Sequence, residues 1–414
     1  MTPTAGNGAL RVPAFRRYLA GRILGVTGRT VFSVAVGWEV YELTRSTYAL
    51  ALVGLAQVVP VVALALRAGA IIDRVDRRLV AVASQLVMSA TAATMSLLAF
   101  THAPVWARFP VLVMYGCAVA FSAPASSALL PTLVPTECRA DANAWSSTSF
   151  EIASIGGPAL AGLLIAWRGD TTVAYTVHTV GSLSFAAVLL SLPSAAGVPP
   201  KVVAHVERDA RAGLRFVFAS KYLLPAITLD LFAVLLGGVT ALLPVFARDI
   251  LRVGPTGLGW MRAAPSIGAF AMAIVTTRLP PWKRPGVVLL FVVSGFGIAT
   301  IGFGLSRSYA LSLFLLGLTG LFDNVSVVIR MTLEQMVTPD AMRGRVSAVQ
   351  YVFVGMSNQF GEVESGIAAG LMGAVGATLF GGLGTLVVVL WVAWRWPALA
   401  RVGPLAQLQP ESLA

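Results

Sequence analysis

Charge is what this sequence has least of. Asp, Glu, Lys and Arg make up 12% of its 414 residues, where a soluble globular chain carries roughly 25%. Hydrophobic residues make up 57%, and the mean hydropathy is +0.81. No soluble core of this size needs so much apolar surface, so the surplus must face lipid. Cysteine is also scarce: Cys117 and Cys138 are the only two. One falls in an expected span and the other in an expected loop, which excludes a disulfide framework. The three histidines are scattered and offer no metal-ligand spacing. No Gly-rich phosphate loop ending in Lys-Ser/Thr occurs, nor a His-Glu-x-x-His, nor a Ser/His/Asp spacing compatible with the spans. The sequence therefore calls for no cofactor, no metal and no enzymatic chemistry, and it carries no nucleotide-binding domain through which ATP could drive work.

What the sequence has instead is long apolar runs. A spanning helix needs about 20 apolar residues, and the runs predict twelve spans in two six-helix halves of an all-α integral membrane protein. The first half covers 18–192, with spans near 18–41, 48–68, 79–100, 109–130, 143–166 and 171–192. The second covers 222–395, with spans near 222–247, 257–277, 286–305, 309–331, 345–369 and 372–395. Pro104, Pro110, Pro131, Pro193, Pro280 and Pro397 fall at or near span ends, where prolines punctuate helices. The tail 1–17 is polar, then basic, and lacks a small-residue cleavage site before the first span, so it reads as cytoplasmic and uncleaved. The stretch 193–221 reads as a cytoplasmic linker. Its apolar positions recur at three and four over 202–217, as in an amphipathic interfacial helix. Residues 396–414 form a second cytoplasmic tail.

The net charge of +12 could point to nucleic acid, but its distribution does not. Of the 30 Lys and Arg, six fall in expected external loops (Arg45, Arg108, Arg168, Arg248, Arg252 and Arg307), four fall inside spans, and the other twenty are cytoplasmic. That bias places both termini inside and the basic surface against an anionic inner leaflet. A weak internal repeat supports two halves: a shift of 204 places Arg139 on Arg343, Gly157 on Gly361 and Gly162 on Gly366.

Two short motifs stand out. Residues 69–78 read Gly-Ala-Ile-Ile-Asp-Arg-Val-Asp-Arg-Arg between the second and third spans. Gly69 would let two helices approach closely. Asp73 could accept bonds from backbone N–H groups or an arginine, while Arg74, Arg77 and Arg78 meet anionic lipid or helix C-termini. Span 5 holds Gly156-Gly157-Pro158 followed by Gly162, a combination that kinks a helix and admits a close neighbour.

The first motif resembles the loop signature of the major facilitator superfamily, with Gly69, Asp73, Arg74, Arg77 and Arg78 in place and Asp76 where a glycine is common. The resemblance implies that this loop locks one transport state. The second motif resembles the glycine–proline element of proton-coupled antiporters, in part, because Ala161-Gly162 stands where paired glycines are frequent. Pro13-Ala-Phe-Arg-Arg-Tyr, Asp141-Ala-Asn-Ala and Pro339-Asp-Ala-Met-Arg-Gly-Arg-Val resemble the bacterial efflux branch that includes the enterobactin exporter.

Ionisable residues inside spans cost about 2.5–3.5 kcal/mol each on insertion scales and normally face an interior cavity. Arg22 and Arg29 are seven apart on span 1 and share a face. Arg29 is either an anion-binding or gating residue or the partner of Glu151 in span 5 or of another buried acid. In span 10, Arg330 and Glu334 are four apart and can pair, while Asp323 needs another partner or a proton. In span 11, Glu362 and Glu364 are about 200° apart around the helix and cannot face one cavity. Glu151, Asp230, Asp323, Glu362 and Glu364 are the candidate proton carriers. The reading is a monomeric secondary exporter of the cell inner membrane. It would expel a siderophore-like or drug-like small molecule by proton antiport. An importer or uniporter of the same fold, or a membrane sensor, are the alternatives.

Overall fold

The computed structural model describes residues 8–193, 206–280, 282–339, 342–404 and 408. Among them there is no strand. The helices are α1 (Pro13–Thr44), α2 (Thr47–Arg74), α3 (Arg77–Phe100), α4 (Arg108–Leu129), α5 (Arg139–Arg168), α6 (Thr172–Ser191), α7 (Val206–Ala219), α8 (Leu223–Gly237), α9 (Gly254–Thr276), α10 (Pro285–Leu305), α11 (Tyr309–Val337) and α12 (Arg343–Arg395), with short irregular turns between them. Among the described residues, 11 helical runs are long and apolar enough to cross a membrane. The last of these lies in α12, whose 53 residues are broken at Gly373 (φ 77°, ψ 162°). That backbone conformation is open to glycine and strained for other residues. At about 20 residues per crossing, α12 is long enough for two spans, which makes twelve among the described residues.

Span 7 is less regular than its hydropathy predicts. α8 stops at Gly237, a 3₁₀ turn runs over Val239–Leu242, and a π-helical turn over Phe246–Ile250. Gly237-Gly238 and Pro244 account for the break, since neither residue type favours a helix interior. A carbonyl freed inside a bilayer needs a partner, and Ser365 Oγ donates to the Gly238 carbonyl at 3.0 Å.

The chain forms two compact units. One comprises Met1–Arg45, Leu52–Val203 and Val253–Ala263; the other comprises Ser46–Ala51, Ala204–Arg252 and Ala264–Ala414. The core of the first gathers Phe15, Tyr18, Leu129, Phe185 and Leu189. The core of the second gathers Leu223, Leu229, Ile329, Leu333 and Val392. It also takes in Phe216 and Val217 from α7, and Gly213 lies close against the Arg345 backbone. The C-terminal part of the linker helix thus packs its apolar residues on protein. The side chains of 206–211, and 194–205 entirely, lie outside the described residues.

The 204-residue repeat has a structural counterpart. α5 starts at Arg139 and α12 at Arg343. A Cβ on Gly157 would strike Thr30 of α1, and one on Gly361 would strike Leu235 of α8. A Cβ on Gly162 would meet Pro255, Thr256 and Gly259 in the opening turns of α9, and one on Gly366 would meet Ala51 in the opening turns of α2. Equivalent glycines therefore sit at equivalent crossings.

Candidate functional site

The loop signature is a pair of helix ends joined by a short turn. α2 runs through Arg74, and Asp76 caps α3, its Oδ1 accepting from the Arg78 amide at 2.9 Å. An acid at this N-cap satisfies an orphan backbone donor, which explains Asp76 where glycine is common. Arg77 Nη1 donates to the Ala128 carbonyl at the end of α4 (3.5 Å), and Arg78 Nη1 donates to the Leu190 carbonyl (3.3 Å) and the Leu192 carbonyl at the end of α6. These cations neutralise helix C-termini. Arg74 is exposed. The side chain of Asp73 lies outside the described residues. Gly69 meets nothing within 4 Å of an added Cβ, so the close helix approach expected there is not seen.

The span 5 motif behaves unequally along its length. Gly157 and Gly162 are both in tight contact, and the carbonyl of Pro158 lies against Gly259 of α9. Gly156 faces open space. Thr30 Oγ1 lies 3.1 Å from the Ala153 carbonyl, five residues before Pro158, tying α1 to α5 near that proline.

In the first unit a polar cavity of about 420 Å³ opens between α1, α4 and α5, lined by Tyr18, Arg22, Ser126, Asn143, Ser146 and Glu151, among others. Arg22, not Arg29, shares this cavity with Glu151. Arg29 is exposed, about two turns further along α1. No ion pair among the described residues includes Arg22, Arg29 or Glu151, so the alternative in which Glu151 simply neutralises Arg29 is not what the structure adopts.

In the second unit Arg330 Nη1 forms a buried ion pair with Asp230 Oδ2, and Arg330 Nε donates to the Ser326 carbonyl at 3.3 Å. This corrects the expected Arg330–Glu334 pair. Glu334 instead accepts from Ser347 Oγ at the start of α12. Helical spacing made Glu334 reachable, but the guanidinium is drawn across to α8, where a buried carboxylate would otherwise be unpaired. Asp323 lines the same crevice as Asp230, with Phe296, Phe322 and Ser326, and has no hydrogen-bond or ion-pair partner among the described residues. Two carboxylates thus face one arginine. Glu362 and Glu364 diverge as the helix geometry requires, and only Glu364 lines the groove between α8 and α12.

One polar cluster escaped the sequence. Arg108, expected in an external loop, is buried at the start of α4. Its Nη2 donates to Glu39 Oε1 at 2.7 Å, its Nη1 donates to the Ala103 carbonyl at 2.8 Å, and Tyr175 Oη donates to Glu39 Oε2 at 2.6 Å. The cluster clamps α1, α4 and α6. The only signal was an uncompensated Glu39 inside span 1, read with Arg108 at the mouth of span 4.

These features define a polytopic transporter. Residues 4–405 match the family described as transmembrane secretion effector, and the chain belongs to that family of the major facilitator superfamily. It is a transporter and not an enzyme. It is 28% identical over 390 residues to the enterobactin exporter EntS of Shigella boydii serotype 4 (strain Sb227), covering 91% of this chain and 86% of that protein. The EntS protein of Escherichia coli O1:K1 / APEC gives 28% over 391 residues with the same coverage. Among solved structures, the fold is similar to a bacterial homologue of the human lysosomal transporter Spinster in an inward-facing, occupied conformation (TM-score 0.71, 14% identity, 99% of this chain and 100% of that one). It is also similar to the nucleoside transporter NupG (TM-score 0.69, 12% identity, 94% and 100%).

Proposed function

We propose that the protein expels a small polar or anionic organic molecule, siderophore-like or drug-like, in exchange for protons, by alternating access between the halves 18–192 and 222–395. The observation that carries the substrate half is the pair Arg22 and Arg29, two span cations for which the described residues supply no ion-pair acid. An unneutralised cation inside a bilayer is costly, and a bound anion offsets that cost. The polar lining around Arg22 and the exporter relatives favour the same direction.

The coupling half is supported by Asp230, Asp323 and Arg330. One arginine cannot neutralise two carboxylates, so one proton balances the crevice. When it leaves, Arg330 is contested between Asp230 and Asp323, which gives the second unit two arrangements. Glu151, Glu362 and Glu364 are the remaining candidate carriers. Orientation follows the cationic bias, with both termini cytoplasmic in a bacterial inner membrane, and the protein works as a monomer.

Purified protein in liposomes tests this. With a proton gradient imposed, a catechol-like anion should accumulate on the expected side, and a protonophore should abolish that. Arg29→Ala should lose anionic substrates at least tenfold. Transport that survives both the protonophore and neutralisation of all five acids would rule out proton antiport, and an unaltered substrate range in Arg29→Ala would remove the arginine role. Labelling of Asp76→Cys from outside would overturn the orientation.

A further inference from the structure

A groove of about 740 Å³ runs between α8 and both arms of α12 in the second unit. Leu231 and Leu235 line one wall; Phe360, Ile367, Leu371 and Phe380 line the other. Several of these are well exposed, Leu371 at 74% and Phe380 at 48%. Ser357 and Glu364 are the polar residues of this mostly apolar lining, and Glu364 is its one carboxylate. Its one hydrogen-bonding neighbour among the described residues is Ser365, whose Oγ lies 3.4 Å away while also serving the Gly238 carbonyl at 3.0 Å. No ion pair among the described residues involves Glu364.

We infer that this groove is a binding site for amphipathic organic cations, whose apolar body fills the groove and whose positive charge meets Glu364. The volume falls in the range of about 300–1,000 Å³ typical of small-molecule sites that combine apolar walls with a few polar groups. Phe353 and Phe360 stand in the same lining, and aromatic rings attract cations. No cationic side chain lines the groove, so its ligand class is opposite in charge to that proposed for Arg22 and Arg29.

A lipid ammonium is the competing source of positive charge, and depth argues against it. Glu364 lies nine residues before the break at Gly373, which at 1.5 Å per residue is about 13 Å into the bilayer. Phospholipid headgroups sit at the interface, near the break, and not at that depth. A mobile cation with an apolar body can reach it.

The probe is tetraphenylphosphonium, which is permanently charged, with neutral tetraphenylmethane as its control. Full-length protein in phosphatidylcholine nanodiscs should bind radiolabelled tetraphenylphosphonium saturably, and Glu364→Gln should weaken that binding at least tenfold. An excess of a catechol-like anion should not displace it, which separates this site from the export reading. A second measurement guards against a misfolded variant. In a Cys117→Ser/Cys138→Ser background, Ile367→Cys at the groove mouth should be protected from maleimide by tetraphenylphosphonium and not by tetraphenylmethane. Undiminished binding by folded Glu364→Gln overturns the proposal. So does an absence of protection, or equal protection by the neutral compound, which would mark the groove as an apolar surface for lipid tails.

Discussion

Arg330 on α11 reaches across to Asp230 on α8, with both side chains about 95% shielded, while Asp323 on Arg330's own helix shares their crevice with no hydrogen-bond or ion-pair partner among the described residues. Breaking a buried pair by removing one member costs about 3–5 kcal/mol. Arg330→Ala should therefore lower the melting temperature in detergent markedly, because it leaves two carboxylates and no cation. Asp230→Asn with Arg330→Gln should cost less than the sum of the singles. Additive losses would mean that the two residues act separately. Asp323→Asn should keep the fold and lose proton-driven flux, since the pair survives and the exchangeable site does not.

The glycines of α5 should separate by position. Gly162→Ala places a Cβ 2.5 Å from the Pro255 carbonyl, backbone against backbone, which neither helix can relieve by a rotamer change. Transport should fall at least tenfold. Gly156→Ala meets nothing within 4 Å and should transport normally, with a small gain in stability from helix propensity. Equal effects of the two would deny the close α5–α9 crossing its role.

In the loop after α2, Arg78→Ala removes the cation that serves two carbonyls at the end of α6, an interaction worth about 0.3–1 kcal/mol at a helix end. A modest loss of thermal stability should follow, with Arg77→Ala smaller because its single contact is 3.5 Å. Asp73→Asn should cut transport strongly while leaving the protein inserted, because the motif's fixed spacing implies a specific partner. Wild-type flux in that variant would reduce Asp73 to a topology residue.

Glu39→Gln leaves Arg108 buried beside a neutral amide and weakens the bond from Tyr175. The expected cost is about 3 kcal/mol or more, by the same reasoning about severed buried pairs. Tyr175→Phe removes one neutral-to-charged hydrogen bond and should cost about 1.5–3 kcal/mol. Denaturation midpoints of the two variants check the order.

The helix count was legible in the sequence because lipid demands long apolar runs and prolines mark their ends. The loop arginines were legible as helix-end cations because they cluster where two apolar runs meet. What the sequence hid were pairings decided across helices. Arg330 looked bound to Glu334 because four-residue spacing is visible in one dimension, whereas Asp230 is a hundred positions away. Arg108 looked like a loop residue because hydropathy cannot see that Glu39 and Tyr175 converge on it. Gly69 and Gly156 looked like packing glycines, yet both face open space. A glycine's composition is readable, but its neighbour is not.

Each compact unit borrows the opening turns of one helix from the opposite stretch of sequence: 253–263 joins the first, and 46–51 joins the second. Neither half of the polypeptide is then self-sufficient. During synthesis, the first half must wait for α9 before Gly162 has its counterpart, and α2 keeps its first turns unmatched until Gly366 and Gly370 emerge. A chain severed between 193 and 206 would yield two fragments that mature only when made together, each serving as the other's last folding step.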